Sequence, residues 1–167
     1  MRTNAQDSPA LKFSVLLVYE DLEMGLHAKR VFDLIAQVSR EEVDTQLSVL
    51  RFDCFNSPEL AGDGFHHAAE ADIIVLAPRN SEDLPAPTKQ WLESLPERRG
   101  VPGGAMVAVF SPDSDPNVES SAAAKLAMRV AERAEMDFFV RPGKPPVLHT
   151  ANFVREGPLV EAVCPEL

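Results

Sequence analysis

With 167 residues, 45% of them apolar and 25% charged, the chain has the size and composition of one ordinary globular domain with a sizeable core. Its 26 acidic residues against 16 basic ones give a formal charge of −10, a field that repels phosphate backbones and anionic lipid, so neither nucleic acid nor a membrane is an expected partner. No apolar run approaches the roughly 18 residues a bilayer crossing needs, and residues 1–10 lack the apolar stretch of a secretion signal, so they read as a short disordered lead-in to a cytoplasmic domain.

Strand and helix patterns then alternate. Phe13-Ser-Val-Leu-Leu-Val-Tyr19 is a continuous apolar run of the kind found in a parallel strand covered on both faces. After it, Met24, Ala28, Val31, Ile35 and Val38 recur at spacings that draw one helix face, opposite Lys29, Arg30, Asp33, Gln37 and Arg40. This helix is expected over residues 21–40, with Asp21 as its N-cap. Residues 46–55 read as a second strand, ended by Asn56-Ser57-Pro58. A weak helix containing Gly62 and Gly64 follows over 58–70, and a third strand over 71–77.

Residues 84–95 form the next helix, with Pro85 or Pro87 in its first turn and Trp91 and Leu95 facing the sheet. Gly100 to Gly104 make a turn, and 105–110 a fourth strand. A polar loop over 111–119 leads to a helix over 120–135 that buries Ala123, Leu126, Val130 and Ala134. Asp137-Phe-Phe-Val140 is a fifth strand. Trp91, Phe138 and Phe139 are read as core.

Residues 143–167 contain Pro145, Pro146 and Pro158 and are expected to be an irregular tail packing on a domain of residues 11–142, with one short helix near 159–163. Because that tail supplies no obvious last covering helix, the face or edge around the fifth strand is also a candidate surface for self-association. Cys54 and Cys164 lie far apart without metal or redox spacing and read as reduced thiols.

Five strands separated by helices require right-handed crossovers, hence a three-layer α/β sandwich around a parallel sheet of order 2-1-3-4-5. In such a sheet ligands bind beyond the carboxyl ends of the strands, where the order reverses. That rule gathers Glu20, Asp21, Ala77, Pro78, Arg79 and Ser111 around one crevice, with Arg141 at the end of the fifth strand. Ala77 stands where chemistry is expected, and a methyl group cannot accept a phosphoryl group, bind a metal or move a proton.

At these residues the chain resembles the flavodoxin-like superfamily. Leu16-Leu-Val-Tyr-Glu-Asp21 is similar to the first strand and acidic metal-binding pair of a response-regulator receiver domain. Asp72-Ile-Ile-Val-Leu-Ala77 is similar to the strand bearing its phosphoacceptor aspartate, with alanine in the acceptor's place. Ser111 falls at the switch hydroxyl, and Met136-Asp-Phe-Phe-Val-Arg-Pro142 is similar to the strand ending in lysine–proline, with Arg141 for the lysine. The resemblance spans about residues 12–142 and implies a degenerate receiver that cannot be phosphorylated in the standard way.

Residues 71–78 followed by 84–95 also look like the third strand, flavin-contacting loop and next helix of flavodoxins and flavin reductases. That branch implies a flavin-dependent redox protein. The Tyr-Glu-Asp, Arg-Phe-Asp and Asp-Phe-Phe landmarks further resemble a set of small bacterial proteins to which no activity is attached.

The flavin branch needs a Ser/Thr/Gly-rich loop after the first strand, with backbone N–H groups aimed at a phosphate. The chain offers Tyr19-Glu-Asp-Leu-Glu-Met-Gly25, whose three carboxylates repel a dianion. Glu20 and Asp21 could hold Mg²⁺, but the third receiver ligand is lost with the aspartate, and Asp21 reads more simply as a helix cap. Ser111 lies in an ordinary turn, and none of His27, His66, His67 or His149 forms a triad with it; the histidines read as surface residues. Arg141 is expected to pair with Glu20 or Asp21 across the crevice, a role Arg79 could also fill. The expectation is a non-enzymatic regulatory or protein-interaction module without cofactor or metal, acting on a protein partner or on itself.

Overall fold

The computed structural model describes residues 12–38, 44–80, 82–115 and 117–141. In chain order they form β1 (Lys12–Tyr19), α1 (Leu22–Val38), β2 (Asp44–Arg51), α2 (Pro58–Glu70), β3 (Ile73–Ala77), α3 (Ala86–Arg98), β4 (Ala105–Val109), α4 (Ala122–Arg133) and β5 (Asp137–Arg141). All neighbouring strands run parallel in the order β2-β1-β3-β4-β5, the flavodoxin-like topology expected from the alternating pattern. No helix among the described residues is long and apolar enough to cross a membrane. The lead-in, the helix near 159–163, Cys164, His149 and the packing of residues 143–167 lie outside the described residues.

The two-residue period of the strands divides the core. Leu16, Val18, Ile74, Leu76, Met106, Ala108 and Phe110 point to one face, where α2, α3 and α4 cover them with Ala68, Trp91, Leu92, Leu95, Leu126 and Val130. Val15, Leu17, Val75, Ala77 and Val109 point to the other, where α1 lays down Met24, Ala28 and Val31. Trp91 anchors the first face, its ring stacked 4.5 Å from Phe55 and 5.6 Å from Phe65. Gly64 makes that approach possible, since a Cβ there would stand 3.0 Å from the indole nitrogen.

Two expectations change. Residues 52–55 do not continue β2 but turn into a 3₁₀ helix over Phe52–Asn56, with Phe52, Cys54 and Phe55 buried. Side chains three apart eclipse on such a helix, so Phe52 and Phe55 both reach the core, whereas a strand would send them to opposite faces. Phe139 is not core but 53% exposed, because its neighbour Phe138 takes the face lined by α4 and Phe139 takes the other. Cys54 is a buried free thiol.

At the amino edge of the sheet a buried arginine ties three segments together. Arg99 donates to the carbonyls of Ala68 and Ala71 at the end of α2, at 2.8 and 2.7 Å, and to the Gly103 carbonyl at 2.7 Å. A guanidinium there satisfies carbonyls that a helix end leaves without partners. Its burial works against its charge, offset in part by Asp72. Gly104, at φ +86°, follows immediately; a Cβ would meet the Asp72 carbonyl oxygen at 2.6 Å, so only glycine fits.

Candidate functional site: the carboxyl edge of the sheet

β1 and β3 lie side by side, so their last residues and the loops after them form the centre of the carboxyl edge. The Glu20 N–H donates to the Ala77 carbonyl at 3.1 Å, extending the pairing one residue past the strands. Asp21 then ends the extended run and caps α1. Its Oδ1 accepts from the Met24 N–H at 3.0 Å, three residues on, as the capping geometry requires. The Gly25 N–H donates to the Asp21 carbonyl at 2.9 Å.

Arg79, two residues past β3, answers all three carboxylates of this loop. Its backbone N–H donates to Glu20 Oε2 at 2.7 Å, its Nε to Asp21 Oδ2 at 2.6 Å and a terminal guanidinium nitrogen to Glu23 Oε2 at 2.7 Å. The two oxygens of Asp21 therefore do separate jobs, one for the helix and one for the arginine. The Arg79 hydrogen bond holds the Asp21 carboxyl below its ordinary value; partial burial opposes this and the Met24 amide adds to it. Reciprocally, Asp21 and then Glu23 raise the already high pKa of Arg79. The Glu23 contact is mostly in solvent and contributes little, whereas Glu20 and Asp21 fix the path of both loops.

Ala77 is wholly buried, in the cluster with Met24, Ala28 and Val75. Pro78, also buried, follows it. Neither presents a polar side chain to the crevice. Ser111, past β4, meets Arg79 across a crevice of about 350 Å³ that also exposes Asn80, Glu82, Asp113 and Asp115. The Ser111 hydroxyl accepts from the Asp113 N–H at 3.4 Å within its own turn. The crevice is acidic apart from Arg79.

The sequence-expected residues thus divide. Glu20, Asp21, Ala77, Pro78, Arg79 and Ser111 are brought to one edge. Arg141 is not: it lines a separate apolar groove beside α1, with Phe139 and Val107. The alternation of β5 turns Arg141 to the α1 face, three strands away from β1, so the expected ion pair with Glu20 or Asp21 is made by Arg79 instead. The histidines are also less uniform than expected. His66 is exposed, His67 Nδ1 lies 3.3 Å from Ser48 Oγ, and His27 is half-buried, its Nε2 without a hydrogen-bond partner and its pKa lowered by that burial.

Sequence reasoning missed Arg99, which sits in a run of charged and turn residues, Glu97-Arg-Arg-Gly100, that resembles an exposed helix end. No protein-family model matches the chain, and no curated protein matches it in sequence.

Proposed function

We propose that this protein is a non-enzymatic, receiver-like regulatory or protein-interaction module in which a permanent internal cation replaces the phosphorylation chemistry. One observation carries the reading: the guanidinium of Arg79 bonds Asp21 and Glu23, and Ala77, two residues before it, is fully buried. A divalent cation would have to displace a bound arginine to reach these carboxylates, and no acceptor side chain stands beside it. A cytoplasmic location accompanies the reading, in keeping with the free thiol of Cys54.

The flavin alternative has less support. Phosphate binding needs unengaged N–H groups at a helix start. Here the Met24 amide at the start of α1 is taken by Asp21, the Arg79 amide in the loop after β3 by Glu20, and the β1–α1 loop is anionic.

The test is incubation with a small phosphodonor and Mg²⁺ followed by intact-mass measurement, beside a titration with flavin mononucleotide. The expected result is an unmodified mass, no flavin binding and a melting temperature indifferent to Mg²⁺. In Arg79→Ala the released carboxylates should make the melting temperature respond to Mg²⁺. A stable phosphoryl adduct on the unaltered chain would refute the proposal.

A further inference from the structure

α1 lays an apolar stripe on the sheet, and one titratable side chain is set into that seam. His27, beside Ala28 in the stripe, is half-buried, and its Nε2 is shut off from solvent without a hydrogen-bond partner. The other ionisable groups in the described side chains of α1 are exposed or already paired. Glu23 stands mostly in solvent on Arg79, Lys29 pairs with Asp33 at 2.7 Å, and Arg30 is exposed.

The surroundings of the imidazole suit its neutral form. The Phe110 carbonyl, just past β4, favours a proton on the ring, but burial and the positive charge of Arg30, one turn further along α1, oppose it. β5 brings a second cation: Arg141 is in register with Val109, and its carbonyl accepts the Phe110 N–H at 3.3 Å. β1 and β3 present Val15, Leu17, Val75 and Ala77 to α1, none of them ionisable. The carboxylates at the start of α1, Glu20, Asp21 and Glu23, are engaged by Arg79. Among the described residues no carboxylate answers His27.

We infer that His27 makes the seam between α1 and the end of β4 an acid-sensitive latch: a proton taken up by its ring loosens α1 from the sheet. The neutral ring can leave Nε2 as a lone pair, at the loss of one hydrogen bond. An imidazolium carries an N–H on both nitrogens, so a buried donor and a charge go unsatisfied together. Burial first, and Arg30 second, hold the His27 pKa below its ordinary 6.5. A group lowered in this way contributes its stability in full above pH 6.5 and loses it as pH falls through the lowered value. In acid the residues that α1 covers, Val15, Leu17 and Val75 among them, become accessible. The latch does not depend on the chemistry of the Arg79 clamp.

The experiment uses the full chain with isotope-labelled histidine rings. A titration by nuclear magnetic resonance over roughly pH 8 to 5 reads each imidazole, and His27→Gln identifies the signal of His27. The expected result is that His27 takes up its proton at a lower pH than the other histidines. Amide exchange of Met24 to Val31 is then compared at about pH 7.5 and about pH 5, corrected for the intrinsic pH dependence. Opening in acid should rise about threefold or more further in the parent than in His27→Gln, while the amides of α4 on the opposite face respond alike in both. His27→Asn repeats the comparison and separates the lost titration from a packing defect particular to glutamine. A His27 ring that titrates at or above the other histidines, or an acid response of α1 equal in parent and variants, would overturn the inference.

Discussion

Replacing Ala77 with aspartate supplies the side chain that a receiver-like site would carry under the proposed reading, and the structure predicts that it damages the protein. The Ala77 methyl is 0% exposed and packed among Met24, Ala28, Val75 and Val109. Enlarging a filled site costs about 1–3 kcal/mol, and burying a polar group without partners a further ~1–3 kcal/mol on the protein scale. A loss of about 4 kcal/mol is therefore expected, a large part of the ~5–15 kcal/mol that holds a domain together. It should lower the melting temperature by roughly 10 °C. Ala77→Asn separates volume from charge, since the two side chains have nearly the same shape. Burial raises the pKa of an aspartate, so its extra penalty over asparagine is absent below the ordinary value of about 3.9 and grows as pH rises toward the raised one. Urea denaturation followed by circular dichroism, at pH 3.5 and pH 7 as rough end points, measures both terms. An Ala77→Asp protein as stable as its parent, and phosphorylated by a small donor with Mg²⁺, would refute the claim that the packing at position 77 excludes a carboxylate.

The divided roles of Asp21 predict that Asp21→Ala loses about 1 kcal/mol from the helix cap, while Asp21→Asn, which keeps a capping oxygen, retains most of it. Because Arg79 depresses the Asp21 pKa, the advantage of aspartate over asparagine is full above pH 3.8 and fades as pH falls through the lowered value; equal losses in both variants, or a pH-independent gap, would count against this division. Arg99→Met strands three carbonyls at once and should cost about 3 kcal/mol in urea denaturation, with faster amide exchange where α2 meets β3; an unaltered denaturation midpoint would remove the arginine's structural role.

The order of strands was readable because apolar runs of strand length alternate with helix-period stripes, and only one simple winding accommodates them. The Asp21 cap was equally legible, since capping is local and the residue stands immediately before the stripe of Met24, Ala28 and Val31. What failed depended on which way a side chain faces. An aromatic pair on a strand always sends one ring to each side, and Phe138-Phe139 gives no sign of which side is covered. The same parity moved Arg141 from the crevice to the groove. Arg99 was hidden for a different reason: an arginine bonding only carbonyls has no acidic partner in the sequence to betray it.

The clamp also accounts for its own charge. A receiver-like pocket at these positions would hold Glu20, Asp21, Glu23 and an acceptor aspartate around a divalent cation, leaving two negative charges. Here alanine removes one carboxylate and Arg79 supplies one positive charge, and the remainder is again two negatives. Under the proposed receiver-like reading, both differences fall within three residues, from Ala77 at the end of β3 to Arg79, and leave a similar electrostatic balance. A metal can leave and a phosphoryl group can be hydrolysed, whereas a guanidinium carried by the chain does neither. Its contacts hold the β1–α1 and β3–α3 loops in one arrangement. Under the receiver-like reading proposed above, a module whose carboxyl edge is held in this way would draw a change of state from another surface.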